Sequence, residues 1–116
     1  MTNETTPLQA LTFWRNVAVA QVRDRDIDLS SRQLALLLTV YLQTPPHTVR
    51  GLAKKLGVSK PVVSRALTAM SSRDLVARRR DVNDRRNVLV QRTVEGALYL
   101  DRLAEIIVAN TRDLGG

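Results

Sequence analysis

The chain has 116 residues, one domain's worth, with 44% hydrophobic and 3% aromatic residues. It can bury a modest core, and base stacking is not its main way of holding nucleic acid. The absence of cysteine excludes a disulfide framework, a thiolate metal site and a thiol switch, and His47, the single histidine, cannot build a metal site alone. Charge is concentrated: residues 49–92 carry twelve Lys or Arg against three Asp, residues 1–48 are balanced, and residues 93–116 are slightly acidic. That is the footprint of a polyanion-binding module on a neutral scaffold.

Residues 1–6 are polar and expected to fray. From Pro7 to about Arg25 the pattern is helical, with proline suited to the first turn. Leu8, Leu11, Phe13, Trp14, Val17, Ala18, Val19, Ala20 and Val22 are more apolar residues than one stripe needs. Either this helix is central to its own domain or its surplus near Phe13, Trp14 and Val17 meets a second copy; in so short a chain the second is preferred. Asp24, Asp26 and Asp28 alternate and are expected to be solvated. Ser30 or Ser31 caps a helix from about Arg32 to Leu42, with Leu34, Leu37, Leu38 and Tyr41 at helical spacing. Gln43-Thr44-Pro45-Pro46 stops it, and His47 reads as an exposed loop residue.

Thr48 caps a short helix over Val49–Leu56, Gly57 ends it, and Ser59 caps a second helix with Pro61 near its start that runs to about Arg73. Ala53, Gly57 and Val63 have the spacing of a DNA-binding helix-turn-helix: a small residue at the crossing, a glycine for the left-handed turn, an apolar clamp. An ordinary helical hairpin is the alternative. With Val58, Val63, Ala66 and Met70 turned inward, the second helix presents Lys60, Ser64, Arg65 and Thr68, and no acid occurs from Val49 to Arg73. Lys60 and Arg65 reach phosphates or guanine edges, Ser64 and Thr68 approach bases, and Ser59 suits a phosphate. Val76–Arg80 and Val88–Arg92 read as the strands of a hairpin whose tip holds Arg85 and Arg86. Such a basic hairpin can reach a minor groove or the backbone, and Asp81 and Asp84 are expected to orient guanidinium groups and fix the loop. A last helix, about Glu95–Asn110, follows Thr93 and presents Leu100, Leu103, Ala104 and Ile107, widened by Ile106 and Val108.

The stretches LGVSKPVVSRALTAM and DLVARRRDVNDRRNVLVQRT, with the order of helices around them, resemble the MarR family of bacterial transcription regulators over about residues 29–100. Asp81-Val82-Asn83-Asp84-Arg85-Arg86 is similar to that family's D-x-x-D-x-R wing signature. The resemblance implies that Arg86 points from the wing into the minor groove or backbone and that Asp84 braces it. Val82 stands where the family often has proline, which implies a looser turn. The family pattern also has a second long C-terminal helix that completes the dimer interface and roofs an effector pocket. Residues 93–116 hold at most one such helix, which leaves a small-molecule effector open and shifts pairing toward the first helix.

The expected fold is therefore mostly α with a small β-hairpin, a single winged helix-turn-helix domain over 1–116. Residues 7–28 are a dimerisation helix, 29–92 the winged unit and 93–116 the C-terminal helix. The expected function is that of a dimeric, sequence-specific regulator on double-stranded DNA, with residues 59–73 in the major groove and the wing, 78–92, on the minor groove or backbone. Its expected DNA contacts are Thr48, Arg50, Ser59, Lys60, Pro61, Ser64, Arg65, Thr68, Arg78, Arg80, Arg85 and Arg86. Its expected dimer contacts are Leu11, Phe13, Trp14, Val17, Leu103 and Ile107. An architectural or replication-associated DNA binder and a winged helix that binds protein are the alternatives. No catalytic triad, HExxH or Gly-rich phosphate loop is present, so no enzyme and no metal or other cofactor is expected. No secretory signal is visible, and the longest apolar run, Leu34–Leu38, is far short of the ~20 residues of a membrane helix. A bacterial cytoplasmic, nucleoid-associated protein without a membrane partner is expected.

Overall fold

A computed structural model describes residues 4–24 and 27–114 and divides into two compact units, residues 1–28 with 101–116, and residues 29–100. In the first unit, α1 (Pro7–Asp24) starts behind a reciprocal cap. The Gln9 N–H donates to Thr6 Oγ1 at 3.1 Å, and the Thr6 N–H donates to Gln9 Oε1 at 2.8 Å. Fraying is thus stopped at Thr6 by two satisfied helix-terminal donors; residues 1–3, Arg25 and Asp26 lie outside the described residues. The unit also holds the C-terminal part of α5 (Val94–Asn110), which closes in a 3-10 turn over Thr111–Asp113. Arg102 joins its two segments: Nε donates to Asp24 Oδ2 at 2.7 Å and Nη1 to Glu105 Oε2 at 2.8 Å. Asp24 is therefore an ion-pair partner and not merely solvated. Along α5 the buried apolar side chains are Tyr99, Leu103 and Ile106, whereas Ala104 is exposed and Ile107 half-buried. The stripe lies one position away from the expected one because α5 is apolar on more than one side.

The second unit begins with α2 (Ser31–Leu42), capped by Ser30 and Gln33 in a capping box. Its buried residues are Leu36, Leu37 and Val40, while Leu34, Leu38 and Tyr41 are half-buried. The continuous apolar run over 34–38 could not tell which side faces inward. α3 (Val49–Leu56) and α4 (Lys60–Ser71) follow, capped by Thr48 and Ser59. Gly57 takes φ 68°, and the N–H groups of Gly57 and Val58 bond back to the end of α3, Val58 to the Ala53 carbonyl at 3.1 Å. This is the tight helix-to-helix turn that the spacing predicts. α4 ends two residues before Arg73, because the chain tightens into turns and Asp74 adopts a left-handed φ of 60°.

β2 (Val76–Arg80) and β3 (Val88–Arg92) form the predicted hairpin, and β1 (His47–Thr48) adds a third antiparallel strand in the order β1-β3-β2. His47 pairs with Val90 and is 4% exposed. It is therefore no exposed loop residue: its Nε2 lies 3.1 Å from the Gln43 carbonyl, where it acts as the donor. A two-residue strand carries no alternation by which a sequence could announce it.

A half-buried polar knot joins α2 to the sheet and to the start of α5. The Thr93 N–H donates to Tyr41 Oη at 2.8 Å, and the Tyr41 hydroxyl lies 2.9 Å from the Thr93 carbonyl and 3.2 Å from that of Leu75. Arg92 closes the end of α2, donating from Nε to the Val40 carbonyl at 3.0 Å and from Nη2 to the Gln43 carbonyl at 3.1 Å. A cation at a helix C-terminus complements its exposed carbonyls.

Candidate nucleic-acid interface

α4 owes its orientation to its own apolar side. Val63, Ala66, Leu67 and Met70 are buried, which leaves Lys60, Pro61, Arg65 and Thr68 exposed on the other side. Val58 is half-buried at the turn. Lys60 and Arg65 have no ion-pair partner among the described residues, so both cations are available to a polyanion. Ser64 is half-buried rather than exposed, and its carbonyl accepts from Thr68 Oγ1 at 2.9 Å. Thr68 therefore offers acceptor lone pairs outward, its hydroxyl hydrogen being engaged. Ser59 Oγ accepts from the Val62 N–H at 3.4 Å and keeps its hydroxyl hydrogen for an incoming oxygen. Thr48 is likewise a cap, accepting from the Gly51 N–H at 2.9 Å; Arg50, in the first turn of α3, is exposed.

The wing is organised by its two acids in different ways. Asp84 Oδ1 accepts from Arg86 Nε at 3.2 Å and from the Arg86 N–H at 3.1 Å, and Asp84 Oδ2 accepts from Arg86 Nη2 at 3.4 Å. One carboxylate thus holds both the guanidinium and the backbone of Arg86. Among the described residues Asp81 braces no arginine side chain. Its Oδ1 accepts from the Asn83 N–H at 2.9 Å, closing a side-chain turn, and its N–H donates to the Asn87 carbonyl at 3.0 Å. Arg80 Nη1 donates to the Arg85 carbonyl at 2.6 Å and ties the strand to the tip, while Arg78 Nη1 makes a long 3.5 Å contact to the Ser64 carbonyl. The wing and α4 are linked by that bond, and Arg85 and Arg86 stay exposed at the tip.

The Arg86 hydrogen bonds, side chain first and backbone second, hold the Asp84 carboxyl below the usual carboxylate range; the nearby Arg50 charge adds to this and slight desolvation opposes it. Because the folded carboxyl titrates lower than in an unfolded chain, its contribution is fully present above the unfolded value. It is lost only as pH falls through the depressed folded value. The expected result is an Arg86 Nε–H signal unchanged between about pH 7 and pH 5, with loosening only at more acid pH. Loss of that signal's order already in the upper range, followed by NMR, would mean that the brace does not form.

The six residues assigned to a contact between copies separate into three groups. Val17 and Leu103 are 1% and 4% exposed within this one chain, so they belong to its own core and cannot form a free surface. Leu11 at 69% and Trp14 at 59% are open, with Leu8 and Val22 beside them, while Phe13 and Ile107 are half-buried. Phe13 and Trp14 stand 6.4 Å apart, ring centre to centre, tilted by 49°. Arg92, counted in the basic stretch, serves α2 instead; only the tertiary contact could have revealed that. Among the described residues no group of three or more His, Asp or Glu could hold a metal ion, and no helix is long and apolar enough to cross a membrane.

The sequence profile of the MarR family matches residues 29–88. Among solved structures, the S. aureus MepR–DNA complex is similar with a TM-score of 0.74 at 21% identity, over 88% of this chain and 82% of that one. The transcriptional regulator Tm0710 from Thermotoga maritima is similar with a TM-score of 0.71 at 25% identity, over 94% and 78%. CouR from Rhodococcus jostii RHA1, bound to p-coumaroyl-CoA, is similar with a TM-score of 0.64 at 25% identity, over 88% and 69%. A comparison with curated protein sequences finds no match.

Proposed function

Because this chain belongs to the MarR family of winged-helix transcription regulators, we propose that it binds double-stranded DNA sequence-specifically as a homodimer. In this reading α4 enters the major groove. Arg65 and Lys60 read or grip from its exposed side, Ser59, Thr48 and Arg50 hold phosphates, and Ser64 and Thr68 line the approach to the bases. The wing lies on the adjacent minor groove or backbone through Arg85 and Arg86, with Arg78 and Arg80 behind them. The observation that carries the reading is the acid-free exposed side of α4, linked through Arg78 to a wing on which Asp84 presents Arg86. MepR, which shares the fold, is known in complex with DNA. A bacterial cytoplasmic protein at the nucleoid is the corresponding cellular setting.

The test is selection from random duplexes at physiological salt, with sequencing of the bound fraction. Enrichment of a two-fold-symmetric site, with half-sites roughly 10 base pairs or a multiple apart, is expected. Strong binding without enrichment would instead mean an architectural role, and no binding would move the activity to a protein partner.

Pairing is assigned to the open apolar face of α1, where Leu8, Leu11 and Trp14 expose more hydrocarbon than a solitary helix leaves in water. Leu11→Asp combined with Trp14→Glu is expected to give a monomer in sedimentation and to weaken operator binding, while helix content is kept. An unchanged dimer would move the contact off this face.

A further inference from the structure

The wing sheet has a second face that the DNA reading does not use. In β2 and β3 side chains alternate, and the register sets Arg79 opposite Leu89 and Arg78 opposite Val90. Arg78 reaches toward Ser64 of α4, so Arg79, Leu89 and Gln91 face away from α4. There they line a groove of about 330 Å³ walled by Pro45 and Pro46. The proline rings and Leu89 give it an apolar lining, and Arg79 is exposed and without a hydrogen bond or ion pair among the described residues.

We propose that this groove docks a short extended segment of an acidic partner protein, an apolar side chain against Pro45, Pro46 and Leu89 and a neighbouring carboxylate on the Arg79 guanidinium. The chemistry selects that occupant. A planar guanidinium without an internal partner pairs bidentately with a carboxylate, and an adjoining apolar lining rewards an aliphatic or aromatic neighbour. The groove is about half open to solvent, which suits an extended chain better than a small ligand that must be mostly enclosed. A nucleic acid backbone needs several free cations on one face; here Arg78 and Arg80 point the other way, and Arg92, which also lines the groove, has its guanidinium engaged by the Val40 and Gln43 carbonyls. The site therefore goes beyond the DNA reading, and its position away from α4 leaves it free while α4 is occupied.

The test is an amide NMR titration of the full chain, without DNA, with an acetylated and amidated Gly-Asp-Leu-Asp-Phe-Gly peptide. Shifts clustered at Arg79, Leu89 and Gln91 are expected. Both the peptide with Asn for Asp and the protein variant Arg79→Gln are expected to bind about tenfold more weakly, the loss of one charge-assisted pair. Arg79→Gln is surface-exposed and should fold normally, and its DNA affinity should stay within about threefold of the original. Shifts centred on Lys60, Arg65 and Arg85 would indicate generic attraction to the basic face and overturn the proposal. So would the absence of saturable shifts, or equal affinity of Arg79→Gln. Because the peptide titration contains no DNA, its outcome does not depend on the proposed DNA-binding activity.

Discussion

Replacing Gly96 by alanine is expected to destabilise the fold by about 3 kcal/mol, the upper range for forcing extra volume into a packed site. Gly96 sits in the first turn of α5, where its N–H donates to Thr93 Oγ1 at 3.0 Å. A Cβ there would collide with Tyr41 Oη and with the Leu75 carbonyl oxygen, one the centre of the polar knot and the other main chain. Neither can retreat cheaply. Moving the tyrosine breaks its bonds to Thr93 and Leu75, and leaving such part-buried polar groups unpaired adds to the cost, a fully buried one costing about 1–3 kcal/mol. In a chain of this size the melting temperature should fall by roughly 10–20 °C. Tyr41→Phe alone should cost about 1–2 kcal/mol through the orphaned Thr93 N–H. Combined with Gly96→Ala, it should be less harmful than the sum of the two, because the tightest contact, with Tyr41 Oη, is gone and only the milder one with ring carbon Cζ at 2.8 Å remains on that side. Thermal or urea unfolding of the four proteins decides it, and a Gly96→Ala change below about 1 kcal/mol would mean that α5 can shift away from α2.

Arg65→Ala and Arg86→Ala are expected to weaken DNA binding in two distinguishable ways. Arg65 stands on the exposed side of α4 without an internal partner, so in the major groove it can approach a base edge. Its loss should cost about 1–3 kcal/mol on the selected site and little on random DNA, relaxing preference at one position. Arg86 is held by Asp84 at the wing tip, and in the proposed complex it meets backbone or minor groove. Its loss should lower affinity on all sequences alike and reduce the slope of log affinity against log salt by about one. Asp84→Asn should act in the same direction but more weakly, because the guanidinium remains and only its placement is lost. Titrations of specific and random duplexes at several salt concentrations separate these outcomes. If Arg65→Ala left both affinity and preference unchanged, α4 would not be the reading helix.

Elements whose causes are local can be read directly from neighbouring residues. Ser30 with Gln33, Thr48 and Ser59 each cap the helix that follows by a bond spanning three residues. Gly57 takes the left-handed angle that a short turn demands, and the two strands of the wing appear at Val76–Arg80 and Val88–Arg92 as their patterning predicts. The charge distribution and the Asp84–Arg86 spacing are also local properties, which is why the candidate interface was legible before any coordinates. What depends on residues far apart in the chain was decided only by the tertiary structure. The two-residue strand at His47 exists because β3 offers it an edge. Arg92 turns from the basic surface to Val40 and Gln43, Asp24 finds Arg102 from 78 positions away, and Gly96 matters because Tyr41 and Leu75 converge on it. The assignment of Val17 and Leu103 to a core rather than to a partner has the same origin. Periodicity says that a residue is apolar and on a given side of its helix, but which neighbour covers that side is settled by packing, a relation that no single segment contains.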